Sequence, residues 1–209
     1  AEDGIRDIGV TGVQTCALPI LIILIQILNA IGRSSYKSNY CSSLEEQWSD
    51  FGKVSSVDPN NAEYKDFFLR DYYIKTAYNC CATGTYRSDF VDLCALKNCI
   101  KQGVRCLDFE IYSENNKPVI SVSATNDIHV KGSYNSIPFS DALNLINNQA
   151  FGGNSKCPNP KDPLIINLRI MSKNSAIYKE MTKDIYNTIE DKLLNKNNNY
   201  DIRSEEHTS

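Results

Sequence analysis

Residues 103–120 read GVRCLDFEIYSENNKPVI. Residues 104–113, VRCLDFEIYS, have the β-branched and aromatic content of a strand. ENNK is a turn, and 118–123, PVISVS, are a second strand. The two strands are too close together to be joined by a helix. Within the first strand Asp108 and Glu110 stand two residues apart, so the period of a strand sends both carboxylates to one face. Gly103 closes the segment before it: Phe90, Leu93, Cys94, Leu96 and Ile100 recur at helical spacing across 88–103.

Working outward, 71–79, DYYIKTAYN, read as a strand. Residues 139–153 read as a helix with Ser140 as N-cap and Gly152 as its stop. Residues 157–163, CPNPKDP, are a loop. Residues 164–171, LIINLRIM, are almost wholly apolar, as a strand buried in a parallel sheet would be. Residues 174–194 form a helix with Ile177, Met181, Ile185, Ile189 and Leu193 on one stripe. Strands joined mostly by helices predict an α/β protein with a parallel sheet.

The two ends read differently. Residues 1–7, AEDGIRD, and 10–20, VTGVQTCALPI, translate a common sequencing adapter with a barcode-sized gap between them. Residues 203–209, RSEEHTS, translate its opposite-strand start. Both ends are therefore read as artefact, and 21–202 as a fragment. The whole chain has a net charge of −3; 21–202 alone has 20 basic and 20 acidic residues, hence none. Nothing in that balance argues for nucleic-acid binding, and no long basic stripe appears. One histidine, His129, and seven cysteines remain in 21–202. Residues 21–32 are an apolar segment, weighed as a truncated transmembrane or signal anchor against a core helix. Residues 33–62 are a polar linker with a short helix around SLEEQWSDF, and the α/β part occupies 63–202.

The succession from about 66 to 195 resembles the X region of phosphatidylinositol-specific phospholipase C. GVRCLDFEIYSENNKPVI is similar to its second-strand signature and TAYNCCATG to its first-strand motif. FSDALNLINNQAF is similar to a helix of the family, and DPLIINLRI to the strand after it. FLRDYYIKTAYNCC, GVRCLDFEIY and DPLIINLRI also look like barrel proteins of this kind from large DNA viruses. The resemblance implies the N-terminal part of a (β/α)8 TIM-type barrel, truncated, with a short apolar helix before it. About four strands are visible, half of the eight a closed barrel needs, so a chain ending there would expose strand edges.

What the resemblance implies about chemistry is a phosphodiester cleaved with two histidines and, in one branch, a calcium ion. The first histidine position falls on Tyr78 and the second on Val122. Valine cannot titrate, and tyrosine titrates near pH 10. His129, about seven residues beyond the expected place, is the remaining acid–base candidate, set against an ordinary solvated loop histidine. For the metal, Asn79, Asp108 and Glu110 match ligand positions, while Arg169 stands where a glutamate would be. The expectation is that Arg169 pairs with Asp108 or Glu110 in place of calcium. The same acids read equally well as polar residues of a barrel mouth with no ligand. Cys80, Cys81, Cys94, Cys99 and Cys106 lack zinc-knuckle spacing and are expected to be buried thiols. No Gly-rich phosphate loop and no Gly-x-Ser-x-Gly elbow occurs.

Three functions follow as alternatives. They are a catalytically degenerate, membrane-associated or virion structural module; an active phosphodiesterase with another acid–base set; and a module that binds phosphoinositide lipid without cleaving it. No cofactor is expected, or calcium if the site functions. The expected partner is a membrane or phosphoinositide lipid, and the location a membrane, virion or cytoplasm.

Overall fold

The structure is a computed structural model that describes residues 8–48, 54, 56–57, 68–84, 89–125, 131–151 and 156–194. The chain divides into two compact units, Ala1–Glu46 and Gln47–Ser209.

The first unit is built on one long helix, α1 (Ile8–Gln47). Its leucines and isoleucines from Leu18 to Ile31 are exposed. The stretch Leu18–Gln47 is long and apolar enough to cross a membrane by length and composition. The sequence predicts a helix ending near residue 32 and a polar linker beyond it. The structure instead continues the helix to Gln47. Beyond Gly32 nothing up to that point is proline or glycine, and the modest helix penalties of Ser, Asn and Lys do not end a helix already under way.

The second unit is mixed α/β, with a sheet that forms part of a TIM-type barrel. Its described elements are β1 (Thr76–Ala77), α2 (Leu93–Lys101), β2 (Cys106–Glu114), β3 (Lys117–Ser121), β4 (Ile137–Pro138), α3 (Phe139–Ala150), β5 (Ile165–Ile170) and α4 (Ala176–Ile189). β2 is the hub. β5 runs parallel to it along one edge, from Cys106↔Ile165 to Ile111↔Ile170. The other edge is shared: β1 lies parallel at Thr76↔Cys106, and β3 lies antiparallel from Glu110↔Ser121 onward. The three parallel strands β1, β2 and β5 are the barrel elements, and the β3–β4 pair is a hairpin excursion.

Local chemistry sets these boundaries. α2 starts because the Asp92 carboxylate accepts from the Cys94 N–H at 2.8 Å. It ends in a Schellman motif: Val104 N–H bonds Cys99 O, Gly103 N–H bonds Ile100 O, and Gly103 takes φ +75°. Asn115 and Asn116, with φ of 50° and 61°, make the two-residue turn between β2 and β3. Both positions need positive φ, which asparagine tolerates better than most residues. Leu107, Phe109 and Ile111 enter one apolar cluster with Leu96 and Ile100 of α2, Leu143 and Ile146 of α3, and Ile177 and Met181 of α4. Alternation along β2 leaves Asp108 and Glu110 for the opposite face.

Several expectations need correction. The strand expected over 71–79 is only Thr76–Ala77, because Leu69–Asp71 is a 3-10 turn and Asn79 has φ 47°. α3 ends at Ala150 and starts after Pro138, without a side-chain cap from Ser140; Gly152 lies outside the described residues. β5, expected to be buried, has Ile165 37% exposed, because among the described residues only β2 pairs with it. Cys80, Cys81, Cys99, Cys106 and Cys157 are free thiols, and all but Cys106 are buried. Cys94 departs from the thiol expectation and is disulfide-bonded.

Candidate site at the mouth of three parallel strands

The register of the parallel strands assembles the site. Asp108 stands beside Asn167 and Glu110 beside Arg169 across the β2–β5 ladder. Asn79 follows the end of β1, where the chain turns toward β2. The Asn79 N–H donates to Asp108 Oδ1 at 3.2 Å, and its side-chain amide donates to Glu110 Oε1 at 3.2 Å. Asn79 and Arg169 sit at the C-terminal ends of β1 and β5, the end where TIM-type barrels carry their sites, and Asp108 and Glu110 reach them from within β2.

Arg169 is the centre of the arrangement. Its Nε donates to both Asp108 oxygens at 3.1 Å, and its Nη2 donates to Asp108 Oδ1 at 2.7 Å. Nη2 also donates to Asn79 Oδ1 at 2.6 Å, and Nη1 to Glu110 Oε1 at 2.8 Å. Arg169 thus pairs with both acids, where the sequence left a choice between them. The fixed fork of the guanidinium makes this possible, since an ammonium could not present donors to three partners in one plane.

The carboxylates are satisfied further. Asn167 Nδ2 donates to Asp108 Oδ2 at 2.6 Å. Tyr112 O–H and the Ser123 N–H each donate to Glu110 Oε2 at 3.0 Å. Every oxygen of both acids has a donor, as buried charges require. Asp108, Glu110 and Asn79 are at most 5% exposed. Burial pulls the Asp108 carboxyl upward. The hydrogen bonds from Arg169, the Asn79 N–H and Asn167 outweigh it and hold the group below the usual carboxylate range. Burial disfavours the Arg169 cation, but Asp108 and Glu110 more than offset this and push its pKa further up. Burial and then the neighbouring Glu110 charge push the Tyr112 hydroxyl well above its ordinary value, so it stays a donor.

Tyr78 lies against this cluster, with the Arg169 guanidinium carbon 4.3 Å from its ring centroid. Its side chain is half-exposed, whereas Val122 is 1% exposed within the apolar core. The structure therefore brings Tyr78, Asn79, Asp108, Glu110 and Arg169 together and leaves Val122 outside. His129 lies outside the described residues. Asn167, Tyr112 and the Ser123 N–H are partners that sequence reasoning missed. Period 2 from Arg169 and from Glu110 is the signal that could have found the first two; a backbone N–H leaves none.

A cavity of about 340 Å³ opens beside β1 and adjoins the site, lined by Tyr78 and Asn79 together with Trp48, Cys80, Cys99 and Gln102 among others. The Gln102 side-chain amide donates to the Trp48 carbonyl at 2.6 Å.

The family model for the X domain of phosphatidylinositol-specific phospholipase C matches residues 66–209. No curated protein matches the chain. Among solved structures, the crystal structure of PLC21 from L. pealei is similar at 15% identity and a TM-score of 0.48, covering 60% of this chain and 14% of that one. PLC21 from S. officinalis is similar at 18% identity and a TM-score of 0.48, covering 58% of this chain and 14% of that one. The chain thus spans about a seventh of the length of these relatives.

Proposed function

The chain belongs to the phosphatidylinositol-specific phospholipase C X-domain family, and on that premise we propose that it is a catalytically degenerate member, a non-catalytic module held at a membrane. The observation that carries this reading is the fate of the two positions the resemblance assigns to acid–base histidines. One is Val122, sealed in the apolar core with no group that titrates. The other is Tyr78, whose ring is engaged with the Arg169 guanidinium. General acid–base work needs a group that gives and takes a proton; Val122 has none, and the Tyr78 ring faces the Arg169 guanidinium instead. Fold alone does not supply activity, because function resides in the site.

The membrane part of the reading is supported by α1. Leaving out the residues read as adapter, α1 still runs from Leu21 to Gln47, and its exposed aliphatic side chains from Leu21 to Ile31 are costly in water and favourable in lipid. The test is incubation of the full chain with phosphatidylinositol vesicles, with and without calcium. The expected result is co-sedimentation with the vesicles and no soluble inositol phosphate. Release of inositol phosphate above that of a Tyr78→Ala, His129→Ala control overturns degeneracy in favour of a different acid–base set. Failure to co-sediment overturns the membrane role.

A further inference from the structure

The acids and amide at the strand mouth occupy positions that the resemblance assigns to a calcium ion, and this chain does not fit one there. Calcium takes about six to eight oxygen ligands at 2.3–2.6 Å. Here oxygens of Asn79, Asp108 and Glu110 already converge on a guanidinium, at 2.6 to 3.1 Å. The strand that would supply another oxygen supplies this cation instead.

We propose that Arg169 is a built-in replacement for the divalent ion: one side chain removes a ligand and supplies the positive charge that the ligand and metal together would have left. Two carboxylates with one guanidinium leave one net negative charge. Three carboxylates with one divalent ion leave the same. The exchange therefore keeps the charge of the mouth while making it independent of any metal supply. The geometry agrees. Arg169 cross-links β2 and β5 and reaches Asn79 after β1, as a bound ion would bridge ligands from separate strands. The Arg169 guanidinium carbon lies 4.3 Å from the Tyr78 ring centroid, a contact that suits a delocalised cation. The inference does not depend on whether the chain turns over lipid.

Arg169→Glu should convert the mouth back into a cation site, since it deletes the plug and restores a ligand. The test uses the full chain, titrated with calcium by calorimetry and with terbium by luminescence, and melted with and without calcium. The wild type should give no saturable signal and no calcium-dependent melting shift. R169E should bind at least about a hundredfold more tightly than the wild type and melt higher with calcium than without. Calcium bound by the wild type tighter than about 10⁻⁴ M overturns the proposal. So does a folded R169E that gains no cation binding. R169E places three carboxylates together and can fail to fold without an ion. R169Q keeps the ligand oxygen with two carboxylates, and its folding without a gain in terbium binding is equally fatal. Should neither variant fold, the wild-type titration decides. No lipid enters these measurements, so they fail or succeed separately from the turnover assay.

Discussion

Replacing Arg169 by methionine keeps much of the side-chain volume and removes the cation that, among the described residues, pairs with Asp108 and Glu110. Removing one partner of a buried ion pair costs about 3–5 kcal/mol, because the other partner stays buried and uncompensated. Two features argue for the lower end. The Arg169 side chain is 27% exposed, so solvent screens part of the interaction. Asp108 also keeps the Asn79 N–H and Asn167, and Glu110 keeps Asn79, Tyr112 and the Ser123 N–H. A loss of about 3 kcal/mol is expected, or a melting temperature lower by about 6–12 °C at neutral pH for a domain of this size. Arg169→Lys keeps the charge without the fork and should fall between the two.

The pH dependence has a definite sign. In the wild type the folded Asp108 pKa lies below its unfolded value of about 3.9. Its contribution is therefore full above about pH 4 and is lost as pH falls through the folded value. In the methionine variant, burial without Arg169 drives the Asp108 carboxyl up, and protonation relieves it. The stability gap between the two proteins should thus begin to narrow above about pH 4, as pH falls through the variant's raised Asp108 value, and go on narrowing down to the depressed wild-type value. Differential scanning calorimetry across pH reads both effects. A variant melting within about 1 °C of the wild type at neutral pH, or a gap unchanged on acidification, would refute the reasoning.

Gly103→Ala should lower stability by about 1–2 kcal/mol, since φ +75° is costly for any residue with a Cβ, and urea midpoints measure it. The new Cβ would also meet Pro158 Cγ at 3.1 Å and Val54 Cβ at 3.3 Å. Tyr78→Ala removes the aromatic face from Arg169 and, the ring being half-exposed, should cost only about 1 kcal/mol; a loss as large as that of Arg169→Met would mean the ring, not the ion pairs, organises the cluster. Cys80 and Cys99 are buried thiols whose pKa values desolvation raises, Cys99 to about 12, so a thiol reagent should reach them only on unfolding. Reading both ends as adapter predicts that AEDGIRD and RSEEHTS are missing from the genomic locus; finding either in frame there ends that reading.

The strand and hairpin at 103–120 were legible because their signals are local: alternation along β2, two asparagines at the turn, and a glycine after α2. The facing of Asp108 and Glu110 followed from period 2, and their pairing with Arg169 from the need of buried acids for a cation. That both acids share one guanidinium was not legible, because it depends on the β2–β5 register, fixed across 59 residues of chain from Asp108 to Asn167. β1 was overestimated for a related reason. The composition of 71–79 suits a strand, but pairing ends where Asn79 turns the chain into the site. β5 looked buried from its apolar run, yet burial depends on neighbours on both edges, and a sequence window carries no information about them. The length of α1 was missed because a polar composition was taken as a break when no helix breaker stands there.

Trp48 is the single tryptophan of the chain, and it lines the cavity beside β1 together with Cys80 and Cys99. Its emission is therefore a one-site optical reporter for that wall of the barrel unit. Far-ultraviolet circular dichroism has the opposite bias. α1 contributes 40 helical residues, more than the 9, 12 and 14 of α2, α3 and α4 together. An ellipticity trace mostly follows α1, whereas tryptophan fluorescence follows the unit that carries Arg169. Transitions recorded by the two signals need not coincide, and a single midpoint from ellipticity would describe the wrong part of the molecule.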